Sequence, residues 1–519
     1  MLRTRCSLDF LPSLLAVSAV AALGGGAGCG GASWPDGAVS AERAAVITRT
    51  DDADCPPGIP CDNVPAGYAV TNPKTGAYGN YDLADRPRDG QDIRYVVIHT
   101  TEGSYDGTLR VFADPTYAAS AHYLVRSRDG HLAKLVAPDN LAWHAGNWYF
   151  NMHSVGIEHE AVSADGHTWF TDELYATSAA LVRFLCDRYH IPLDRQHIIG
   201  HDEVPGLSQA RTPAMHWDPG PYWDWERFMR LVRGTATEPV TDRLDNSTAI
   251  AGPVRILPEY ATNLPPLSYC YTSGGTTECR QVPRQSSNFL YLYKEPRLTA
   301  PLIVNSYLAG TPGDRMFNWG NKAGSGRLYY RAERSGDWDA IYFGGQVGWF
   351  YNPGRRATRI PLIGSGQAII TPKAGRGSIA VYGGGYPEDA AYKPPTTPQH
   401  LDKVYDLPEG QRYIADGPVT ADYYWAKVWA ATLAMASHKV VKDSTPYYVV
   451  SFNHRLALVR AEDVTVVRTT TSHGAGPDRY GLAPGSLAAG VDSGDAAAEG
   501  EADAEAAQPM PLRDLRGLD

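Results

Sequence analysis

The run Arg94-Tyr-Val-Val-Ile-His99 decides the fold of this chain. Its centre is apolar and β-branched without alternation, which is typical of a strand buried on both faces. Three further runs have strand character: His122-Tyr-Leu-Val125, Ser154-Val-Gly-Ile-Glu158 and His197-Ile-Ile-Gly-His201. After the first of these, Arg128-Asp-Gly130 is a turn signal that predicts a hairpin with the residues that follow it.

Two amphipathic segments alternate with these strands. Thr171 is a predicted N-cap with two acidic residues in the first turn, and apolar residues then recur at helical spacing up to Pro192. A second amphipathic helix is predicted near residues 222–233. Strands interleaved with helices predict an α/β domain over residues 91–235, with a mixed central sheet flanked by helices.

The remainder of the chain divides by composition. The segments Asp339–Phe343 and Gln346–Phe350 flank Gly344-Gly345, which is a hairpin signature. The predicted segments are a signal at 1–29, a linker at 30–90, a connector at 236–285, an all-β module at 286–355, a linker at 356–403, a second all-β module at 404–468 and a disordered acidic tail at 469–519.

Charge and length exclude several classes of protein. The 519 residues carry a formal net charge of −10 and are 43% hydrophobic, enough for two to four domains with sizeable cores. Residues 471–519 alone hold nine acidic and three basic side chains, so the rest of the chain is nearly neutral. Because no stretch is rich in Lys or Arg, a nucleic-acid-binding protein is excluded.

The N-terminus predicts export. Arg3 and Arg5 precede an apolar run of about thirteen residues, which is a signal-peptide pattern and too short to span a bilayer. Cys29 follows small residues, as in a lipoprotein cleavage box, so the choice between a lipid anchor at Cys29 and simple secretion stays open. The close pairs Cys55/Cys61 and Cys270/Cys279 predict two local disulfides in an oxidising compartment, and Cys186 is predicted to be a buried thiol.

Histidine placement indicates where chemistry occurs. Eleven of the fifteen histidines lie between His99 and His216. His99 and His201 each end a β-branched strand, where a rigid sheet can aim side chains at one point, and Asp218 follows after a loop. Two imidazoles and one carboxylate leave the fourth tetrahedral position of Zn²⁺ open, as in a catalytic rather than a structural zinc site.

At these residues the chain resembles the zinc-dependent N-acetylmuramoyl-L-alanine amidases of type 2, the relatives of the peptidoglycan recognition proteins. The resemblance covers about a quarter of the chain and rests on six strings in order: Val96-Val-Ile-His-Thr-Thr-Glu102, Ser120-Ala-His-Tyr-Leu-Val125, Ala142-Trp-His-Ala-Gly146, Ser154-Val-Gly-Ile-Glu158, Ile199-Gly-His-Asp-Glu203 and His216-Trp-Asp-Pro-Gly-Pro221.

The resemblance implies a role for each matching residue. The zinc ligands would be His99, His201 and Asp218. Glu158 would take a proton from the attacking water and pass it to the leaving nitrogen. His216 stands where the family often has a lysine that stabilises the oxyanion, and it would have to supply the same hydrogen bond. The string Trp143-His144 lies where the family lines its substrate groove, so both residues are predicted to bind substrate.

The C-terminal regions suggest attachment to the cell wall. Residues 286–355 are similar to SH3-like cell-wall modules, and residues 404–468 resemble a diverged copy, so one or two small SH3-like barrels are expected. The sequence therefore predicts an exported zinc amidase, secreted, periplasmic or lipid-anchored, that acts on peptidoglycan or muropeptides. The alternatives are a non-catalytic peptidoglycan-recognition protein and a structural surface protein in which wall binding dominates.

Overall fold

The computed structural model describes residues 47–49, 53–234, 242–273, 276–364, 366–426, 429, 431–433 and 438–467. The predicted signal, the candidate lipid anchor at Cys29 and the acidic tail at 469–519 lie outside the described residues. Within the described residues, no helix has both the length and the apolar character that crossing a membrane requires.

The first domain alternates strands with helices. Its strands are β1 (Ile47–Arg49), β2 (Cys61–Asn63), β3 (Ala69–Asn72), β4 (Ala77–Gly79), β5 (Tyr81–Asp82), β6 (Tyr95–Thr100), β7 (Tyr123–Val125), β8 (Leu132–Lys134), β9 (Leu141–Ala142), β10 (Ser154–His159) and β11 (Ile198–Gly200). Its helices are α1 (Tyr105–Ala113), α2 (Trp148–His153), α3 (Gly166–Trp169), α4 (Asp172–Tyr189) and α5 (Trp225–Arg233). The predicted α/β domain is confirmed.

The central sheet is mixed, in the order β1-β2-β8-β7-β10-β6-β11. Strand β6 pairs in parallel with β10 and β11, and β10 pairs in parallel with β7. Strands β7 and β8 form the antiparallel hairpin that Arg128-Asp-Gly130 predicts. Helix α4 begins after Thr171, whose hydroxyl accepts a hydrogen bond from the Leu174 N–H, so the predicted N-cap is also confirmed.

The two faces of β6 are covered by different layers. Val96 and Ile98 pack with Leu181 and Leu185 of α4 in one hydrophobic cluster, and Tyr95 and Val97 lie in a second cluster. Because successive side chains of a strand point to opposite faces, this double coverage explains the uninterrupted apolar run of β6.

Residues 53–90 contain short strands where the sequence predicted a linker. The Cys55–Cys61 disulfide is present, and β2 pairs in parallel with β8, which adds this segment to the central sheet. Strands of two to four residues leave no readable periodicity, so the sequence pattern could not indicate them. Cys186 is a buried free thiol, as predicted.

A second domain contains a six-stranded sheet in the order β12-β21-β13-β18-β19-β20. Its strands are β12 (Arg243–Leu244), β13 (Gly252–Ile256), β14 (Ser268–Ser273), β15 (Thr276–Gln281), β16 (Phe289–Tyr291), β17 (Lys322–Gly324), β18 (Leu328–Ser335), β19 (Trp338–Phe343), β20 (Gln346–Tyr351) and β21 (Thr358–Ile360). Strands β14 and β15 form a separate ribbon that carries the Cys270–Cys279 disulfide. The hairpin around Gly344-Gly345 is formed by β19 and β20.

The third domain is a seven-stranded sheet in the order β24-β23-β27-β26-β25-β22-β28. Its strands are β22 (Gln367–Pro372), β23 (Ser378–Tyr382), β24 (Lys403–Pro408), β25 (Tyr413–Trp425), β26 (Lys439–Ser451), β27 (Leu456–Arg460) and β28 (Val464–Val467). The C-terminal region is strand-rich as expected, but strands also occupy the predicted connector at 236–285 and the predicted linker at 356–403. The assignment of SH3-like barrels stays a prediction.

The third sheet packs directly on the first domain. Tyr95 and Val97 of β6 share one buried cluster with Tyr424 of β25 and Tyr447 of β26. A buried ion network joins all three domains: Glu203 accepts from Arg195 at 2.9 Å, Arg327 lies 3.3 Å from Glu203, and Arg327 donates to Ser451 at 3.0 Å. The three domains therefore share their interior instead of being joined by loose linkers.

Candidate metal centre

Two histidines and an aspartate converge at the carboxyl ends of β6 and β11. The closest atoms are His99 Nδ1 and His201 Nδ1 at 3.0 Å, His201 Nδ1 and Asp218 Oδ1 at 3.2 Å, and His99 Nδ1 and Asp218 Oδ2 at 3.5 Å. All three side chains are buried. One potential metal-ligand atom of each lies within 4.8 Å of the other two, so together they could hold a metal ion. The structure thus brings together the three residues that the sequence predicted as ligands.

Backbone geometry holds these donors in place. His99 lies in β6 and His201 directly follows β11, and the two strands are parallel neighbours. The loop that carries Asp218 is attached by two hydrogen bonds: the Thr100 N–H donates to Asp218 Oδ2 at 3.2 Å, and the Asp202 N–H donates to the Asp218 carbonyl at 2.7 Å. A rigid sheet edge therefore sets the positions of all three donors.

The donor set fits a zinc ion. Ligands about 2.0–2.1 Å from Zn²⁺ in a tetrahedron lie about 3.3 Å from one another, close to the distances between these three donors. Without a cation, two ring nitrogens and a carboxylate oxygen would present electron pairs to one another at hydrogen-bond distance. His201 Nε2 is buried and has no hydrogen-bond partner. The other ring nitrogen, Nδ1, is the one that faces His99 and Asp218.

The protonation states are those that a metal needs. Burial lowers the pKa of His201 to about 3, although the Asp218 carboxylate raises it. Burial alone would raise the pKa of Asp218, but the charge of His201 and the close His201, His216 and His99 rings hold it well below its usual range. A neutral imidazole and an ionised carboxylate are the forms that bind a divalent cation.

His144 lies behind His99 and away from solvent. Its side chain is buried, with Nδ1 2.9 Å from His99 Nε2 and Nε2 3.1 Å from Ser154 Oγ. A Cβ at position 156 would lie 2.5 Å from His144 Cγ, so Gly156 leaves the space that this ring occupies. Trp143 is half-buried and donates to Asp82 at 2.7 Å. For both residues, substrate contact stays a prediction.

Glu158 shares a face of the sheet with His99. The two residues are register partners on the neighbouring strands β10 and β6, and paired residues of adjacent strands point to the same face. Glu158 Oε2 is buried without a hydrogen-bond partner. Burial raises the pKa of Glu158 well above its usual range, and the charges of Asp218 and Glu102 add to the effect. A raised pKa makes a carboxylate a stronger proton acceptor, which suits a group that takes a proton from water and passes it on.

His216 lies at the solvent side of the centre. Its side chain is 61% exposed, and Nδ1 is 3.5 Å from Asp218 Oδ1. The ring stacks on that of His201 with the centroids 4.6 Å apart. Partial desolvation of the ring lowers the pKa of His216, but the hydrogen bond and charge of Asp218 outweigh this effect, so the pKa is raised overall. This ring can therefore present a hydrogen-bond donor to a ligand.

Two residues beside the centre, Glu102 and Arg455, have no role predicted from the sequence. Glu102 Oε1 accepts from the Ser163 N–H at 2.9 Å and from Thr100 Oγ1 at 3.0 Å, which joins the loop after β6 to the loop after β10. Arg455 donates to the His216 carbonyl at 2.9 Å. Glu102 lies within one of the quoted strings, whereas no sequence signal connects residue 455 with residue 216.

The chain is similar in sequence to known proteins over the region that contains this centre. The family model described as Amidase_2, N-acetylmuramoyl-L-alanine amidase, matches residues 89–221. N-acetylmuramoyl-L-alanine amidase A of Achromobacter lyticus is 31% identical over 189 residues, covering 33% of this chain and 98% of that protein. The 1,6-anhydro-N-acetylmuramyl-L-alanine amidase AmpD of Escherichia coli is 34% identical over 145 residues, covering 26% of this chain and 72% of that protein. Among solved structures, the Staphylococcus aureus hydrolase AmiA matches with 16% identity and a TM-score of 0.25, covering 34% of this chain and 82% of that one.

Proposed function

Because this chain belongs to the N-acetylmuramoyl-L-alanine amidase family of peptidoglycan amidases, we propose that it is an exported zinc hydrolase that cleaves the amide between N-acetylmuramic acid and L-alanine. One observation carries the proposal: the buried donors of His99, His201 and Asp218 converge on the face of the sheet that also holds the unpartnered carboxyl of Glu158. This is the set of groups that metal-assisted amide hydrolysis needs.

His99, His201 and Asp218 are the proposed ligands. Zn²⁺ held there would polarise the scissile carbonyl and lower the pKa of a water from about 15.7 to about 7. Glu158 Oε2 accepts one proton from the attacking water and delivers it to the amide nitrogen of L-alanine as the C–N bond breaks. His216 donates a hydrogen bond to the developing oxyanion through Nε2, because Nδ1 faces Asp218. The products are a lactyl carboxylate and a free L-alanine amino group.

Disulfide chemistry supports export. The Cys55–Cys61 and Cys270–Cys279 bonds are stable in an oxidising compartment and rare in the cytosol. With the signal pattern at residues 1–29, they favour secretion, a periplasmic location or lipid attachment at Cys29. Peptidoglycan or its muropeptides, which occur outside the cytoplasmic membrane, are then the proposed partner.

The competing function is peptidoglycan recognition without catalysis. A recognition protein needs neither a complete ligand set nor a proton carrier, and the chain retains both. His216 is a departure from the family pattern that favours this alternative, because an imidazole, which is readily neutral, stands where the family often has a lysine. Hydrolysis and metal content, measured separately, distinguish the two functions.

The test compares the wild-type exported form with Glu158→Gln on purified peptidoglycan. Zinc per chain is measured by mass spectrometry and new L-alanine amino termini by chemical labelling. We expect one zinc in both proteins and a loss of about 10²–10⁴ in rate for Glu158→Gln. Glu173→Gln, at an exposed position in the first turn of α4, is the matched control and should keep full activity. Zinc binding without hydrolysis by the wild type would favour recognition instead.

A further inference from the structure

The turn between β26 and β27, residues Asn453 to Arg455, reaches from the third domain into the candidate metal centre. Arg455 donates to the Val204 carbonyl at 2.6 Å, to the Met215 carbonyl at 3.3 Å and to the His216 carbonyl at 2.9 Å. One guanidinium thus connects the backbone after His201 with the backbone before Asp218. These are the two segments that carry ligands His201 and Asp218.

His454, its neighbour, packs against the same two segments, although neither of its ring nitrogens makes a hydrogen bond. His454 Nε2 lies 3.0 Å from Asp202 Oδ2, next to the ligand His201. The His454 ring stacks on Trp319 with the centroids 3.8 Å apart and the planes 9° apart, and Trp319 Nε1 donates to the Trp217 carbonyl at 3.4 Å. The turn therefore contacts one ligand segment directly and the other through Trp319.

We propose that the turn Asn453–Arg455 is a positioning element that sets the separation of the segments carrying His201 and Asp218. A planar guanidinium has donors in fixed directions, so it can hold several carbonyls at defined places, which an ammonium group cannot do equally well. The matched family region ends at residue 221, so this support comes from outside it. The third domain is then part of the metal centre, in addition to any role in wall binding.

The test uses the full chain with Arg455→Met, which keeps length and packing but removes the donors, and Arg455→Lys, which keeps the charge. Arg460→Met is the matched control, because Arg460 lies on β27 and contacts Glu388, away from the centre. Zinc affinity is measured by competition with a chelator, and hydrogen exchange of residues 200–218 is measured on the metal-free protein. We expect a loss in zinc affinity of about 10–100-fold for Arg455→Met, a smaller loss for Arg455→Lys and faster exchange for both.

The outcomes separate this proposal from the function on which it rests. A wild-type protein that does not bind zinc would overturn the proposed function. If wild type binds zinc and Arg455→Met binds it as tightly as Arg460→Met does, with unchanged exchange, the positioning role is overturned. Should Arg455→Met fail to fold, Arg455→Lys decides the question by the same two measurements.

A different observation carries a second inference, about the ribbon of β14 and β15. Tyr269 and Tyr271 are alternate residues of β14 and therefore share one face of the ribbon. The Tyr269 ring lies 4.7 Å from that of Tyr271 and 6.2 Å from that of Trp217, between centroids. Trp217 stands between His216 and Asp218 in the chain. The three rings form an aromatic row in which Trp217 and Tyr269 are partly buried against a hydrophobic cluster that includes Phe289, and Tyr271 stands at the outer end.

The row borders the centre on the side of Glu102. The Ser163 hydroxyl donates to Glu102 at 2.5 Å, and Ser163 and the Trp217 ring both approach Gly220. The Cys270–Cys279 disulfide joins the two strands of the ribbon. The Ser268 N–H donates to the Asp314 carbonyl and the Met316 N–H donates to the Ser268 carbonyl, which holds the base of the ribbon against residues 314–316. Tyr271 remains 37% exposed at the outer end.

We infer that the row Trp217, Tyr269 and Tyr271 binds the glycan strand next to the scissile amide. In the substrate of the proposed function, the sugar chain begins one lactyl group from the bond that is cut, so a surface flanking the centre must contact it. Aromatic faces bury the apolar face of a sugar ring, and a tyrosine hydroxyl can bond to its hydroxyls. Arg280 donates to the Tyr271 hydroxyl at 2.9 Å and lies over the Tyr271 ring, so the opposite face of that ring is the one that a sugar would contact.

The experiment compares two substrates that share the stem peptide, one with N-acetylmuramic acid alone and one with a four-sugar glycan. Tyr269→Leu and Tyr271→Leu are compared with Tyr351→Leu, an exposed tyrosine of β20 at another part of the surface. We expect a rise in KM of about fivefold or more for the four-sugar substrate only, with kcat kept. An equal change on both substrates, or none, would overturn the inference, whereas a wild type that cuts neither substrate would overturn the proposed function instead.

Discussion

His99 Nε2 lies 2.9 Å from His144 Nδ1, and this contact determines which nitrogen of His99 faces the other ligands. The Ser154 hydroxyl donates to the Phe150 carbonyl, which can only accept, so Ser154 Oγ accepts from His144 Nε2. His144 Nδ1 is then the acceptor for the His99 Nε2–H. The network therefore assigns a free electron pair to His99 Nδ1, the nitrogen directed at His201 and Asp218.

This chain of hydrogen bonds predicts that His144→Phe weakens metal binding. Without its acceptor, the His99 ring loses both its orientation and its preferred tautomer. We expect a loss in zinc affinity of about 10–100-fold, measured by competition with a chelator. His400→Phe is the control, because the His400 side chain is 73% exposed. Unchanged affinity in His144→Phe, together with a raised KM, would instead support the substrate contact that the sequence predicts.

Replacement of His216 tests its role at the oxyanion. His216→Ala should keep zinc and lose about 10²-fold in kcat, as expected when one oxyanion donor is removed. His216→Lys restores a cationic donor at an exposed position, so it should recover most of the loss. Steady-state kinetics on a muropeptide measure both. If His216→Ala has wild-type kcat, or if it loses zinc along with activity, the ring does not act at the oxyanion.

The sequence predicted the core of the first domain because its signals are local. The run Arg94 to His99 indicates a buried strand, and Thr171 with its acidic neighbours indicates the start of α4. The proximity of His99 and His201 also follows locally, since both residues stand at the carboxyl ends of strands. Asp218, however, has no local signal of this kind, because it lies in a loop 17 positions after His201. The resemblance is what assigns it to the same site.

What the sequence missed depends on long-range packing. The run in β6 indicates burial on both faces but does not say that helix α4 covers one face and the third sheet covers the other. Strands β22 and β23 lie in a stretch rich in Gly and Pro, and this composition led to the prediction of a linker at residues 356–403. Arg455 is an ordinary turn residue in the sequence, and only the tertiary structure places its guanidinium on the His216 carbonyl.

Metal removal should destabilise the protein. The donors of His99, His201 and Asp218 come together only in the folded protein, so an ion bound there stabilises the folded state relative to the unfolded chain. Zinc present at 1,000 times its dissociation constant adds about 4 kcal/mol to the free energy of unfolding. Thermal unfolding with chelator, and again after zinc is restored, measures this. In Asp218→Asn the two conditions should differ far less, and equal unfolding temperatures in the wild type would contradict a metal at this site.

A buried carboxyl group outside the metal centre predicts a specific pH dependence of stability. Asp82 is 3% exposed and accepts hydrogen bonds from Tyr78 and Trp143. Burial raises the pKa of Asp82 from 3.8 to about 6, although both hydrogen bonds lower it. The folded protein therefore holds this proton more tightly than the unfolded chain, so the stabilising contribution is complete below pH 3.8 and is lost as the pH rises through about 6.

The change attributable to Asp82 is at most about 3 kcal/mol, since one pKa unit corresponds to about 1.4 kcal/mol. Urea unfolding gives the free energy of unfolding of wild type and of Asp82→Asn at pH 4 and at pH 7. The difference between the two proteins is then compared between the two pH values. Asn cannot lose a proton in this range, so the stability of the variant relative to wild type should increase as the pH rises. Asp129→Asn serves as a control, because Arg126 lowers the pKa of Asp129 to about 2 and its titration lies below the interval. A constant difference between wild type and Asp82→Asn would show that Asp82 is already ionised at pH 4.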